Sequence, residues 1–194
     1  EIASCLVGSE MCIRDRMWNI SSVTAPDQGR QEYIYDNNNR LVKQTLPMGG
    51  VVTYDYDAVG NQIEMTDPAG NTTRYCYDAV NRLTEVLEAD GAKTAYEYDR
   101  EGNLIKETNA AGQVTSYTYD DLGRRTSVTN PAGATTSVFY NELGKAERIC
   151  YPNGSSTVYE YEKGGRLKSV RYPDGAGEHY GYDAKGCLLY TSDA

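Results

Sequence analysis

Clusters of tyrosine and aspartate are the residues of this chain whose types and spacing could do chemistry. Residues 117–123 read YTYDDLG, which places two phenols beside the paired carboxylates of Asp120 and Asp121, and Asp55 and Asp57 form a second pair. Paired carboxylates can divide the roles of general acid and general base, and tyrosine can also transfer a proton. Because one active site needs one such constellation, the first question is whether the cluster is unique.

The cluster is not unique, since it recurs every 21 residues without an insertion. The second carboxylate of a pair is not kept from copy to copy, which favours roles in turns and solvated strands over acid–base catalysis. A chain with this periodicity is interpreted as a repeat array before any single residue is given a role. The copies read YIYD, YDYD, YCYD, YEYD, YTYD, VFYN, YEYE and YGYD, and they end at Asp36, Asp57, Asp78, Asp99, Asp120, Asn141, Glu162 and Asp183.

Composition limits the function classes further. The 194 residues carry a formal net charge of −9, which argues against nucleic acid as a partner, because Lys and Arg must neutralise its phosphates. No apolar run approaches the roughly 20 residues of a membrane-spanning helix. The chain has 18 Tyr but only 1 Phe and 1 Trp. Tyrosine combines apolar area with a hydroxyl that needs a partner, so we predict half-wet surfaces and no densely apolar core.

Each repeat predicts one β-hairpin. Its two segments of about six residues are long enough for strands and too short for helices. In residues 72–77, TTRYCY, alternation puts Thr73, Tyr75 and Tyr77 on one face, and Arg74 and Cys76 on the other. We therefore predict an all-β fold in which antiparallel hairpins of 21 residues form a long sheet of about 16 strands that curls or spirals because strands twist.

Both tips of the hairpin contain a residue suited to a left-handed backbone. One tip begins with Asp and has Gly or Asn as its fourth residue, and this exchange indicates a demand for positive φ. The opposite tip has Gly two residues after Pro or Ala, which is typical of a type I turn. The predicted structural tip residues are Asp36, Asn39, Gly49, Asp57, Gly60, Gly70, Asp78, Asn81, Gly91, Asp99, Gly102, Gly112, Asp120, Gly123, Gly133, Gly154 and Gly175.

The repeat resembles the YD-repeat, or Rhs-repeat, family. Residues 54–70, YDYDAVGNQIEMTDPAG, and 96–112, YEYDREGNLIKETNAAG, carry the pattern, and the resemblance covers nearly all of residues 17–186. The family includes bacterial Rhs and wall-associated polymorphic toxins, the shell subunits of insecticidal Tc toxin complexes and animal teneurins. The resemblance implies a spiralling sheet that closes into a hollow shell, which in the toxins encloses a C-terminal effector polypeptide.

The resemblance also implies a function. It implies a structural, non-catalytic fragment of a shell that encapsulates a toxin or effector in a larger exported bacterial protein, secreted or at the cell surface. Its partners would be the neighbouring repeats and the enclosed effector of the same full-length protein. The family's self-cleaving, aspartate-bearing segment and an effector domain are not recognisable in this sequence. The later copies also depart from the pattern, since VFYN lacks the first tyrosine and YEYE lacks the aspartate.

A carbohydrate-binding or adhesion module is the alternative interpretation. The candidate ligand-facing tyrosines are Tyr75, Tyr77, Tyr96 and Tyr98. A continuous exposed row of these rings could stack on sugars, whereas burial against adjoining strands would favour a scaffold. The two interpretations stay open at this point.

The other candidate sites are interpreted as structural. The bond between Asp67 and Pro68 could be a cleavage site, but the same turn recurs as NPAG at 130–133, which favours a turn role. His179 is the only histidine, so multi-histidine metal sites and a Ser-His-Asp arrangement lack partners. One carboxylate per tip falls short of the about six to eight oxygen ligands of calcium. We predict no metal and no cofactor.

Both chain ends are predicted to be adapter-derived artefacts. Residues 6–16, LVGSEMCIRDR, resemble an in-frame translation of a transposon sequencing adapter, and residues 187–194, CLLYTSDA, resemble that of the reverse strand of its partner adapter. We therefore expect the repeat register to fail in residues 1–16 and 187–194, and residues 17–186 to be a fragment of a longer gene. Cys5, Cys12 and Cys187 would then have no biological role, and Cys76 and Cys150 are expected to be free thiols.

Overall fold

The structure, a computed structural model, describes residues 2–5, 11–17, 19–25 and 29–193, and these residues form β-strands joined by short turns. Sixteen strands, from Ile20–Thr24 to Gly177–Tyr182, fall within residues 17–186, so the all-β prediction is confirmed together with its number of strands. No helix in the described ranges has the length and apolar character that crossing a membrane requires. The strands are β1 (Ile2–Cys5), β2 (Met11–Arg14), β3 (Ile20–Thr24), β4 (Arg30–Tyr35), β5 (Leu41–Thr45), β6 (Val51–Tyr56), β7 (Gln62–Thr66), β8 (Thr72–Tyr77), β9 (Leu83–Leu87), β10 (Lys93–Tyr98), β11 (Leu104–Thr108), β12 (Val114–Tyr119), β13 (Arg125–Thr129), β14 (Thr135–Tyr140), β15 (Ala146–Cys150), β16 (Ser156–Tyr161), β17 (Leu167–Arg171), β18 (Gly177–Tyr182) and β19 (Leu188–Asp193).

The chain forms two compact units, residues 1–95 and 96–194. The first unit contains β1 to β9 and the beginning of β10, and the second contains the end of β10 and β11 to β19. Successive strands within a unit pair antiparallel, as β8 does with β9 through Tyr75 and Val86, and β12 with β13 through Tyr117 and Val128. This order is the run of hairpins that the 21-residue period predicts.

A β-bulge lies beside eight of the tips at the repeated-aspartate position. In the β6–β7 hairpin Asp55 pairs with Glu64 but Tyr56 pairs with Gln62, which leaves Ile63 outside the regular pairing. A bulge bends its strand and increases the local twist. The same shift recurs in the hairpins β2–β3, β4–β5, β8–β9, β12–β13, β14–β15, β16–β17 and β18–β19.

The predicted failure of the register at the chain ends is wrong for the described residues. Asp15 lies 21 residues before Asp36, and its Oδ1 accepts the backbone N–H groups of Met17 and Asn19 at 2.8 and 2.9 Å. β19 pairs with β18 with the usual shift. The register continues because β2 pairs with β3 with the usual shift and is followed directly by Asp15. Residues 1, 6–10 and 194 of the two end segments lie outside the described residues, and the adapter origin of these segments stays a prediction.

The two faces of the sheet differ in polarity. Thr73, Thr157 and Val170 are buried on the face that carries the tyrosines, and Val170 is the apolar side chain that the described residues bury most fully. The opposite face carries more charged and exposed side chains, with ion pairs such as Arg74 to Glu64 at 3.0 Å, although Ser22 is buried on it. The absence of a dense apolar core agrees with the tyrosine-rich composition.

Candidate functional site

The carboxylate of Asp57 closes its tip by accepting hydrogen bonds from the turn. Its Oδ1 accepts the backbone N–H groups of Val59, Gly60 and Asn61 at 3.0, 2.8 and 2.8 Å. Its Oδ2 accepts the Asn61 side-chain Nδ2–H at 2.9 Å. Short polar side chains commonly stabilise turns by bonding the backbone that follows. Both carboxylate oxygens therefore have structural donors. We call the five-residue turns at 15–19, 36–40, 57–61, 78–82, 99–103, 120–124, 141–145, 162–166 and 183–187 the aspartate tips.

The charge of the first residue is not required to build an aspartate tip. Asn141 stands at this position and its Oδ1 accepts the N–H groups of Leu143 and Lys145, each at 3.0 Å. Glu162 also stands there, and its carboxylate accepts the Arg166 Nε–H at 2.8 Å. The feature shared by Asp57 and Asn141 is an acceptor oxygen aimed at the turn backbone, which is a structural property.

Hydrogen bonds hold the pKa of Asp36 and of Asp120 below the ordinary value of an aspartate. The backbone N–H of Arg40 has the largest effect on the pKa of Asp36, and the side chain of Arg124 has the largest effect on the pKa of Asp120. A general acid or base works best with a pKa near the working pH. The direction of these shifts is therefore opposite to the one that acid–base catalysis would use.

Arg40 joins its own tip to the next aspartate tip. Its Nη2 lies 2.7 Å from Asp36 Oδ2, its Nη1 donates to the Asp57 carbonyl at 3.0 Å, and its guanidinium lies 4.9 Å from the centroid of the Tyr56 ring. A planar guanidinium can make these contacts together because it carries several donors and an aromatic-stacking face. The same stack recurs between Arg124 and Tyr140 at 4.6 Å and between Arg166 and Tyr182 at 5.0 Å.

Three of the turns at the other end of the hairpins, which we call the opposite tips, use the same type of closure. We give this name to the turns at 46–50, 67–71, 88–92, 109–113, 130–134, 151–155 and 172–176. Asp67 Oδ1 accepts the N–H groups of Ala69 and Asn71 at 2.8 Å each. Asn109 and Asn130, at the same position, make the equivalent bonds. The geometry of Asp67 is that of a turn residue, in agreement with the structural interpretation of the Asp67–Pro68 pair.

In three opposite tips the closing side chain has moved by two residues. These tips begin with Glu or Tyr, which do not close the turn, and the third residue accepts the N–H of the fifth instead. Asp90 accepts from Ala92 at 2.8 Å. Asn153 accepts from Ser155 and Asp174 from Ala176, each at 3.0 Å. The turn therefore keeps its closure while the residue that supplies it changes.

The backbone at the fourth residue of each predicted tip is left-handed. Values of φ run from 65° at Asn81 to 102° at Gly60. Asn39 and Asn81 adopt this conformation without being glycine, as the exchange of Gly for Asn predicts. The predicted positions with positive φ are Asn39, Gly49, Gly60, Gly70, Asn81, Gly91, Gly102, Gly112, Gly123, Gly133, Gly154 and Gly175.

In seven of the repeat copies the second tyrosine bonds the backbone at a bulge. Tyr77 donates its hydroxyl proton to the carbonyl of Gln62 at 2.9 Å. Gln62 directly precedes Ile63, the residue outside the regular pairing. The same spacing of 15 residues joins Tyr35 to Ile20, Tyr56 to Leu41, Tyr119 to Leu104, Tyr140 to Arg125, Tyr161 to Ala146 and Tyr182 to Leu167.

The candidate ligand-facing tyrosines Tyr75, Tyr77, Tyr96 and Tyr98 are each half-buried. Burial is the main cause that raises the pKa of Tyr75 and of Tyr77. Half-covered rings do not provide the exposed stacking platform that the carbohydrate interpretation requires, and the hydroxyl of Tyr77 is committed to the sheet. A ligand role for these four residues stays a hypothesis.

The remaining reactive side chains are dispersed. His179 is exposed on β18. Cys76 and Cys187 are exposed free thiols, and Cys150 is a half-buried free thiol. Within the described ranges, no group of three or more His, Cys, Asp or Glu side chains could hold a metal ion.

Sequence reasoning missed the fifth residue of the aspartate tips and the different roles of the two tyrosines. A signal for the former is present, because Asn and Arg alternate at residues 19, 40, 61, 82, 103 and 124. The contacts of these fifth residues with the next tip span 17 to 20 positions in the chain, and the bond of the second tyrosine spans 15. They become visible only when the pairing of the strands is known.

Comparison with known proteins identifies relatives of the repeat and of its fold. The RHS Repeat model matches residues 35–72, 77–113, 98–135 and 140–176. No curated protein sequence matches the chain. The solved structure of the Photorhabdus luminescens Tc holotoxin pore with a TccC3 mutation has a TM-score of 0.62 and 17% identity, over 94% of this chain and 13% of that chain.

Two crystal structures show a similar likeness. TcdB2-TccC3-Cdc42 has a TM-score of 0.56 and 18% identity, over 91% of this chain and 12% of that chain. TcdB2-TccC3 without its hypervariable C-terminal region has a TM-score of 0.56 and 16% identity over the same shares. At these identities the likeness is one of fold, and the chain spans 13% or less of the length of the matched chains.

Proposed function

Because the chain belongs to the RHS repeat family, we propose that it forms part of the wall of a hollow shell that encapsulates a C-terminal toxin or effector polypeptide. The observation that carries the proposal is the structural use of the tip carboxylates. Asp57 has donors on both oxygens, and Asn141 closes an equivalent tip without a charge. A position that works with either side chain supports a role in the wall and not in catalysis.

The matched structures support the proposal that the repeats are part of a larger toxin protein. They include a Tc holotoxin pore and a TcdB2-TccC3 complex described as lacking a hypervariable C-terminal region. By analogy, the repeats of this chain belong to a larger exported bacterial protein that is secreted or held at the cell surface. Its partners are the neighbouring repeats and the enclosed polypeptide of the same full-length protein.

The wall is proposed to be non-catalytic. A wall needs strands that pair along their length and ends that do not fray, and both tip types supply this through side chains that bond the turn backbone. The second tyrosine adds a bond at the bulge, where regular pairing is interrupted. These features stabilise a sheet and present no activated nucleophile or base.

The sequence of the complete open reading frame would test whether the repeats belong to an encapsulating toxin protein. We expect further repeats of 21 residues, followed by an aspartate-bearing closing segment and a variable C-terminal domain. A membrane span or adhesion modules directly beside the repeats would overturn encapsulation and favour a surface receptor.

Assays on the 194-residue chain test the proposed absence of activity. We expect no hydrolysis of peptide, ester or glycoside substrates and no retention on immobilised glycans. Hydrolysis that is abolished by Asp57→Asn would contradict the structural role of the tip, because that substitution keeps the acceptor oxygen. Glycan binding that is abolished by Tyr75→Ala would restore the carbohydrate interpretation.

A further inference from the structure

Successive aspartate tips touch through their fifth and fourth residues. Asn61, the fifth residue of its tip, donates from Nδ2 to the Oδ1 of Asn81, the fourth residue of the next, at 2.9 Å. Asn19 bonds Asn39 in the same way. Two Asn side chains in these positions therefore form a direct hydrogen bond between repeats.

A basic fifth residue is followed by glycine in the next tip. A Cβ added to Gly144 would lie 3.3 Å from Arg124 Nη1, which is tighter than an ordinary contact. The other arginines leave more room, since a Cβ would lie 3.6 Å from Arg166 Nη1 at Gly186 and 4.0 Å from Arg40 Nη1 at Gly60, and it would meet nothing within 4 Å at Gly102. The guanidinium of Arg124 is held over the ring of Tyr140 at 4.6 Å. An Asn side chain at residue 144 would extend beyond Cβ into the volume that this guanidinium occupies.

We propose that this contact is a neighbour-selecting code, in which Asn at the fifth residue accepts Asn or Gly in the next tip and Arg accepts only Gly. The pair of Asn103 and Gly123 shows that Asn also accepts Gly. The code concerns the order of repeats and does not depend on the shell proposal.

The code acts against a specific folding error. The repeat copies are similar in length and pattern, so a strand that pairs one repeat too far along would still satisfy most of its backbone bonds. Because Asn and Arg alternate from residue 19 to residue 124, such a shift would place Arg40 against Asn81. Side chains that disfavour the wrong pairing are a known means of specifying register.

Two matched glycine substitutions test the code in one unit of the chain. Gly123 and Gly144 both have φ of 73°, so Gly→Asn carries the same backbone cost at each. They differ in the preceding fifth residue, which is Asn103 for the first and Arg124 for the second. In urea denaturation of the 194-residue chain, we expect Gly144→Asn to lower the midpoint, and Gly123→Asn to leave it unchanged or raise it.

The double variant Arg124→Asn/Gly144→Asn completes the test. It recreates the pair seen at Asn61 and Asn81, so its midpoint should exceed that expected from adding the two single effects. Amide hydrogen exchange at residues 141–145 should show the same recovery locally. If Gly144→Asn fails to fold, recovery of folding in the double variant supports the code. Equal midpoints for the two glycine variants, or strictly additive effects in the double variant, would overturn it.

Discussion

The hydroxyl of Tyr56 donates a 2.8 Å hydrogen bond to the carbonyl of Leu41, directly before the bulged residue Val42. Tyr54 lies two residues earlier on the same strand, and the described residues give its hydroxyl no hydrogen-bond partner. The two tyrosines of one repeat copy therefore differ in function. One fastens a strand to its neighbour at the bulge, and the other contributes ring area to the half-buried face.

Removal of the two hydroxyls separates these roles. Tyr56→Phe should lower the free energy of unfolding by about 0.5–1.5 kcal/mol, the usual net contribution of a protein hydrogen bond. Tyr54→Phe should have a clearly smaller effect, because the ring is retained and no internal bond is lost. Urea denaturation followed by circular dichroism measures both. Equal losses from the two variants would mean that the bond to Leu41 does not stabilise the sheet.

A substitution at Gly70 tests the left-handed backbone of an opposite tip. Its φ is 85°, and an added Cβ would meet nothing within 4 Å, so any cost comes from the backbone conformation. Gly70→Val should destabilise the chain by about 1–2 kcal/mol or more, since a β-branched residue tolerates this region poorly. Gly70→Asn should cost much less, because Asn39 and Asn81 have φ of 68° and 65°.

The control for this glycine is Ala69→Val at the exposed preceding residue, which does not have positive φ. It should have little effect on the midpoint of denaturation. Similar losses from Gly70→Val and Gly70→Asn would remove the conformational explanation.

Acid should destabilise the chain through its tip aspartates. The side chain and then the backbone N–H of Asn71 hold the pKa of Asp67 below its ordinary value of 3.8. A carboxylate whose pKa is lower in the folded state than in the unfolded state stabilises the fold. The stabilisation is complete at pH values above the pKa of the unfolded state, and it is lost as the pH falls through the pKa of the folded state. We therefore expect the urea midpoint to hold above about pH 5 and to fall steadily below pH 4.

Asp67→Asn supplies the matched control for the acid experiment. It keeps the acceptor oxygen, as Asn109 and Asn130 do in equivalent tips, but it removes one titrating group. The loss of midpoint between pH 5 and pH 2 should be smaller in this variant. A midpoint that rises as the pH falls would contradict the assignment of these carboxylates to turn closure.

Truncation tests whether the end segments are adapter-derived. If they are, a chain of residues 17–186 should unfold at the same temperature as the whole chain or at a higher one. The structure makes this a demanding test, because β2 and β19 pair in the repeat register and Asp183 accepts the N–H of Cys187 at 2.8 Å. A clear decrease in the unfolding temperature would show that the ends contribute to the array.

Local features of this fold were predictable from the sequence, whereas contacts between repeats were not. Gly and Asn favour positive φ, which Gly60 and Asn81 adopt, so the residue type alone locates a tip within a single repeat copy. The bond from Tyr56 to Leu41 and the contact from Arg40 to Asp57 join different strands. Their recognition requires the bulged register, which the repeat period alone does not specify. The prediction that the register ends before residue 17 was wrong because Asp15 accepts the backbone N–H groups of Met17 and Asn19, as the other tip aspartates do in their turns.

Protection of the C-terminal polypeptide from protease tests the shell wall most directly. The full-length protein should be digested under native conditions, with and without substitutions that weaken the wall, such as Tyr56→Phe combined with Gly70→Val. We expect the C-terminal polypeptide to resist cleavage in the unsubstituted protein and to become cleavable in the weakened variant. Encapsulation would be contradicted if the C-terminal polypeptide of the unsubstituted native protein were cleaved as fast as in the denatured protein while the repeats remained intact.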